Sequence, residues 1–406
     1  MRRNSIISVL LVIMLLMTAV VGCGGDQAGD NSGQQAPVKE EFVIGSVGCM
    51  SGGGASLGKN MRIGVEFAVE EINKNGGING MPVRAVFRDD EADPTKSLSL
   101  VRELVEKEGI DAFIGPTNTT CAIAIQPYLT EKKIIHLIGG CTGTDLINPS
   151  KYPYSFRTHI NDRDQALFLV KEAIEKGYQR IAVAHDTSAL GMGVQKDMAA
   201  VLSENGMKAA VFATYNANDV DMLPVAQKLK ESNPDHILLF TLMPDGARIL
   251  KALEKLDFLP PTVPITGYAA TALPAFRDLA GSACKGVWSL APVNTTYSET
   301  DPGLPEVVEL AKRVEEAYPG DQGKDLNFFT ICAYYDCVQL IRTGVEKANS
   351  LNADDIKAAL ESLDDYKGAQ ANYQFSSTDH EGLDAECLVT VDANQLKHGM
   401  YLRIED

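Results

Sequence analysis

The sequence predicts an α/β protein of two Rossmann-like lobes, each built on a parallel sheet. Short β-type runs alternate with helix-period segments from Phe42 onward, and the same rhythm restarts beyond the helical period carrying Leu167, Val170 and Ile174. The foldable part, about 365 residues from Glu41, is also too long for one ordinary hydrophobic core.

Arg2 and Arg3 precede an apolar stretch from Ile6 to Val21 that ends in Gly22-Cys23. A basic start, an apolar middle and a small residue at the cut describe a secretory signal peptide over residues 1–22. The stretch is shorter than the ~20 apolar residues of a spanning helix. A cysteine directly after the small residue resembles the lipobox of bacterial lipoproteins, which makes Cys23 the acylated first residue of an extracytoplasmic, lipid-anchored chain. Residues 23–40 hold little that can be buried and read as a flexible tether.

In the first lobe, strands are expected at Phe42–Val47, Val83–Phe87, Asp111–Gly115 and Ile134–Ile138. A Gly-rich loop from Gly48 to Gly58 leads to a helix whose stripe is Met61, Val65, Ala68, Val69 and Ile72, closed by Asn75-Gly76-Gly77. Asp93 and Pro94 supply the N-cap and first position of the next helix, with Leu98, Val101, Leu104 and Val105 buried. The second lobe places strands at Arg180–His185, Ala209–Thr214, His236–Thr241 and Val263–Thr266, then a short one at Gly286–Leu290 around the single tryptophan. Helices at Leu304–Tyr318 and Phe328–Ala348 follow, then β-type runs at Ala371–Phe375, Glu386–Val391 and Met400–Ile404. The expected lobes are 41–158 with about 291–365, and 159–290 with about 366–406.

Without Arg2 and Arg3 the chain has 35 basic and 54 acidic residues, a net charge of −19. That balance argues against nucleic acid and anionic lipid as partners. Seven cysteines besides Cys23 leave at least one unpaired thiol or an intermolecular bridge, and none has zinc-site spacing. Cys332 and Cys337, five residues apart on one helix, point about 140° away from each other and read as packing residues. The acidic run Asp89–Asp93 reads as capping rather than cation binding. No histidine pairs with another at ligand spacing, no phosphate loop follows Gly52-Gly53-Gly54, and no Gly-x-Ser-x-Gly elbow is present. An enzyme is therefore not expected, and neither a metal nor a cofactor is.

Ligands of open parallel sheets sit beyond the carboxyl ends of the strands. Two such lobes facing one another put the site in the cleft between them. Gly48-Cys49-Met50-Ser51-Gly52, the run Ala68–Gly77, Asp89–Pro94 and Ile114-Gly115-Pro116, in this order and spacing, resemble the leucine/isoleucine/valine-binding type of periplasmic substrate-binding protein that feeds ABC transporters. The resemblance runs from about Phe42 to Ile341. It implies the type I periplasmic-binding architecture, hinge closure over a small solute, an ABC permease as partner, and a monomer.

The resemblance also implies site residues. The family's carboxylate-binding hydroxyls match Thr119 and Thr142, with Gly140 and Cys141 supplying backbone groups. The family's ammonium-binding Glu matches Ala269, beside Tyr268, and aromatic positions around the ligand match Leu57, Leu190 and Leu242. An ammonium buried without a carboxylate or aromatic faces loses its hydration uncompensated. The expected ligand is therefore a carboxylate with an uncharged, apolar remainder, with a branched-chain or other amino acid as the alternative. A sensor subunit serving a separate receptor is the further alternative.

Overall fold

Residues 39–216 and 219–405 are described by the structure, a computed structural model. The expected signal peptide, Cys23 and the tether up to residue 38 lie outside the described residues.

The first sheet grows from β1 (Phe42–Gly48), α1 (Ala55–Lys74), β2 (Val83–Asp89), α2 (Pro94–Glu103), β3 (Ala112–Ile114), α3 (Thr119–Glu131), β4 (Ile135–Ile138) and β5 (Ser155–Arg157). All five strands are parallel, in the order β2-β1-β3-β4-β5. Successive side chains of a strand point to opposite faces, so a sheet covered on both sides needs apolar residues at every position. In β1, Phe42 and Ile44 enter the core beneath α1, while Val43 and Val47 enter a separate core with Val101 of α2 and Ile125 of α3. Asp93 caps α2 as its composition predicts, accepting from the Thr95 and Lys96 amides. The rest of the acidic run serves turns: Asp89 accepts from the Met50 and Glu91 amides, and Asp90 from that of Ala92.

The second sheet follows α4 (Asp162–Glu175): β6 (Ile181–Asp186), α5 (Ala189–Glu204), β7 (Val211–Tyr215), α6 (Leu223–Glu231), β8 (His236–Phe240), α7 (Met243–Lys255) and β9 (Ile265–Gly267), then α8 (Pro274–Ala280). Its order is β7-β6-β8-β9, again parallel. Ile181 and Val183 face one core and Ala182 and Ala184 another.

The remaining chain is β10 (Ser289–Pro292), β11 (Thr296–Tyr297), α9 (Pro305–Ala317), α10 (Phe328–Ala348), α11 (Ala353–Glu361), β12 (Tyr366–Lys367), β13 (Asn372–Tyr373), β14 (Leu388–Lys397) and β15 (Met400–Arg403). Strands β10, β14, β15 and β11 form a mixed four-stranded sheet. Helix α10 returns to α1. The approach is close because Gly64 faces it: a Cβ there would lie 2.3 Å from the Ile331 carbonyl oxygen.

Four expectations are corrected. The loop expected over Gly48–Gly58 is shorter, because α1 starts at Ala55 and carries Leu57 on its first turn. Ser155–Arg157 is a fifth strand, too short to show a period. The expected strand Gly286–Leu290 is divided: Trp288 bridges to Thr266 at the edge of the second sheet, and Ser289–Pro292 crosses into the mixed sheet. Part of the 366–406 segment packs on the first lobe rather than the second. The Tyr373 hydroxyl donates to Asp336 of α10 at 2.8 Å, the His380 ring meets the Ser155 carbonyl oxygen at 3.0 Å, and Glu381 pairs with Arg157. The seven cysteines of the described residues are free thiols, six of them buried, so Cys332 and Cys337 serve as packing.

Candidate functional site

Beyond the carboxyl ends of the two parallel sheets lies a cavity of about 410 Å³. Its walls come from the first turn of α1, the loops after β3 and β4, the segment between β5 and α4, the loops after β8 and β9, and the start of α10. Of the residues singled out in the sequence, Leu57, Gly140, Thr142, Leu242, Tyr268 and Ala269 line it.

Thr119, Cys141 and Leu190 do not. Thr119 opens α3, and its hydroxyl oxygen accepts from the Gly143 amide at 3.4 Å, joining two loops. The thiol of Cys141 turns into a buried cluster with Ala122, Ile138 and Leu146 and donates to the Pro116 carbonyl oxygen at 3.1 Å. Leu190, in the first turn of α5, is exposed.

The loop after β4 is held from beneath. Arg157, fully buried at the end of β5, donates through Nη1 to the carbonyl oxygens of Cys141 at 3.0 Å and Gly143 at 2.8 Å. Its remaining nitrogens pair with both carboxylate oxygens of Glu381, Nε at 2.6 Å. Gly140 rests on Tyr334 of α10, where a Cβ would lie 2.3 Å from the phenolic oxygen. This loop can approach Tyr334 only as glycine.

Several polar lining residues were not singled out in the sequence: Ser56, Asn60, Thr117, His159, Gln165, Asn327 and Thr330. Asn60 follows Leu57 by three residues on α1, and its side-chain oxygen accepts from the Asn327 amide at 3.0 Å. Its NH₂ group has no hydrogen-bond partner among the described residues, so it is a donor available to a ligand. Asn327 has its oxygen and one of its two amide hydrogens in use. It caps α10 by accepting from the Thr330 amide and hydroxyl, and it donates to Tyr401 at 2.7 Å. Gln165 accepts from the Ala269 amide at 3.1 Å. The wall at Ala269 is thus backed by a neutral amide. Among the lining residues there is no lysine or arginine, and Asp325 is the one carboxylate. Apolar and aromatic side chains, among them Leu57, Leu242, Tyr268, Leu273 and Phe329, make up most of the rest.

Behind Thr142 lies buried Asp162, at the start of α4, whose amide donates to the Thr142 carbonyl oxygen at 2.8 Å. Burial raises its carboxyl to about 6 against the pull of the Thr142 hydroxyl and Arg157. A carboxyl raised on folding opposes folding once ionised. From the unfolded value of 3.8 to about 6 the cost grows with pH, and above that range it stays at about 3 kcal/mol. Asp162→Asn is therefore expected to melt above wild type at pH 8 and level with it near pH 4. Melting scans across that range check this, and a pH-independent difference would assign the titration elsewhere.

Residues 41–395 match the family model described as periplasmic binding protein. The leucine-, isoleucine-, valine-, threonine-, and alanine-binding protein of Pseudomonas aeruginosa is 25% identical over 324 residues, covering 79% of this chain and 82% of that one. The substrate-binding protein of a branched-chain amino acid transporter from Streptococcus pneumoniae, solved with isoleucine, superposes with a TM-score of 0.72 at 19% identity, covering 89% of this chain and 97% of that one. A solute-binding protein of an ABC transporter from Rhodopseudomonas palustris HaA2, solved with p-hydroxybenzoic acid, superposes with a TM-score of 0.74 at 20% identity, covering 90% and 96%.

Proposed function

Since the chain belongs to the periplasmic binding protein family, whose members are extracytoplasmic solute binders rather than enzymes, we propose that it captures a small carboxylate with an uncharged, largely apolar remainder and delivers it to an ABC importer. In this reading it is a monomeric lipoprotein anchored through Cys23, and among the described residues no helix is long and apolar enough to cross a membrane. The lobes are 41–158 with about 291–384, and 159–290 with the tail beyond, the last crossing falling near residue 384 because Glu381 still belongs with Arg157. Closure about these crossings excludes water and strengthens polar contacts to the ligand.

The observation that carries the ligand class is the composition of the cavity wall. Thr117, the Gly140 loop and the Asn60 amide offer neutral donors from the first-sheet side, with the Thr142 hydroxyl shared with Asp162; Leu242 and Leu273 add apolar surface from the second-sheet side, and Ala269 is backed by Gln165 rather than by a carboxylate. Neutral donors suit an anion that keeps one apolar end. In this proposal Thr119 and Cys141 act through the loop after β4, and Leu190 belongs to the cleft rim that closes. The relative solved with p-hydroxybenzoic acid is consistent with such a ligand class.

A second reading, an amino acid, is favoured by Asp162, a carboxyl that interacts with the hydroxyl of the cavity-lining Thr142. A thermal-shift screen separates the two. Acids lacking the amine are expected to stabilise the protein, and stabilisation by leucine alone would decide for the amino acid. Thr142→Val is expected to weaken a bound acid about 10-fold, at ~1.5 kcal/mol for one charge-assisted hydroxyl bond, and adding Thr119→Val to weaken it further by freeing the loop after β4, with the fold retained. Unchanged affinity by calorimetry would discard both hydroxyls.

A further inference from the structure

His159 lines the cavity, is 7% exposed, and stands edge-on to Phe329 at 6.1 Å between ring centroids. Its Nδ1 lies 3.0 Å from the carbonyl oxygen of Ile160. A carbonyl oxygen can only accept, so Nδ1 carries the proton and Nε2 holds a bare lone pair. The same carbonyl also receives the Gln165 amide at 3.4 Å, so this tautomer sits in a consistent network. Nε2 has no hydrogen-bond partner among the described residues. It is not sealed from the cavity, so water can serve it while the cleft is open, and a ligand that displaces this water leaves a costly unpaired acceptor unless it supplies a donor.

Of the other free polar groups of the cavity, the Asn60 NH₂ and the hydroxyls of Ser56, Thr117 and Tyr268 can donate, and the Asp325 carboxylate accepts. His159 is the nitrogen acceptor in a wall otherwise suited to an anion, and an anion placed against a bare lone pair is repelled. We infer that His159 Nε2 selects, among small acids, those that also carry a neutral hydrogen-bond donor, a hydroxyl being the simplest. The inference rests on the carboxylate reading above and narrows it to hydroxylated acids.

Calorimetry on the purified protein tests it with two matched sets: 4-hydroxybenzoate, benzoate and 4-methoxybenzoate; and 2-hydroxy-4-methylpentanoate, 4-methylpentanoate and the 2-methoxy ether. In at least one set the hydroxy acid is expected to bind ~10-fold or more tightly than both counterparts, because a site with an unpaired acceptor discriminates against ligands that cannot pair it. His159→Phe is expected to reduce that preference below about threefold, and His159→Gln, which keeps an acceptor, to restore part of it. Equal binding of hydroxy and unsubstituted acids by wild type, or a preference that persists in His159→Phe, overturns this inference and leaves the carboxylate reading standing. Binding of leucine with no acid bound overturns both. The wild-type comparison decides the matter even if a variant does not fold.

Discussion

Arg157→Leu is expected to lower the unfolding free energy by about 3 kcal/mol, because it leaves Glu381, whose side chain is only 20% exposed, as a largely buried charge with no counter-ion. Arg157 has no exposed surface, and four of its contacts go to groups that need a donor: two carboxylate oxygens and the carbonyl oxygens of Cys141 and Gly143. Urea denaturation monitors the loss. Arg157→Leu combined with Glu381→Leu removes the stranded carboxylate and should recover part of it. It cannot recover all, since two backbone carbonyls still lack partners, at about 1–3 kcal/mol for each buried unsatisfied group. Because those carbonyls belong to the loop of Gly140 and Thr142, the double variant is also expected to bind ligand more weakly than wild type while remaining folded. A single variant within about 1 kcal/mol of wild type would show that water replaces the guanidinium, and the loop would then not depend on it.

Gly64→Ala is the second large effect. Alanine is the better helix former by about 1 kcal/mol, so an exposed position would gain stability. At Gly64 the new Cβ would meet the Ile331 carbonyl oxygen at 2.3 Å and the Tyr334 Cβ at 2.9 Å. Backbone atoms of a packed helix cannot rotate away, so α1 and α10 must separate, with an expected net loss of about 2–3 kcal/mol. Asn60 stands on α1 and Phe329, Thr330 and Tyr334 on α10, all in the cavity wall. Separation should therefore weaken ligand binding together with stability, as a midpoint shift and a titration on the same sample would show. Stability equal to or above wild type would mean that the two helices accommodate a methyl group without moving.

Much of the architecture was legible in local patterns. The Asp93-Pro94 start of α2 and the full span Phe328–Ala348 of α10 follow from capping chemistry and from an apolar stretch with helical period. Ser155–Arg157 was not legible as a strand because three residues carry no measurable period, and its strand character comes from pairing with β4. Trp288 and Ser289 look like one run in sequence, yet successive residues pair with different sheets.

In the site, Leu57, Gly140, Thr142, Leu242, Tyr268 and Ala269 were reached through the family resemblance, and they sit on or beside loops that follow strands. Asn60, His159, Gln165 and Asn327 could not be found that way. They reach the cavity from helix faces and from the segment between the sheets. The available signal was chemical: Asn60 interrupts an apolar helical stripe next to Met61, and a polar residue on a buried face needs a partner.

What the order of residues determined here is the pair of parallel sheets and the loops that face the cleft, because periodicity, caps and turns act over a few residues. Which side chains enter the cavity was decided only by packing between distant segments. Glu381 fixes the arginine that holds the loop carrying Cys141, Gly64 admits α10, and the Ile160 carbonyl sets which nitrogen of His159 is left bare. Such contacts depend on the relative placement of elements far apart in the chain, and the period of a strand or helix carries no information about that placement.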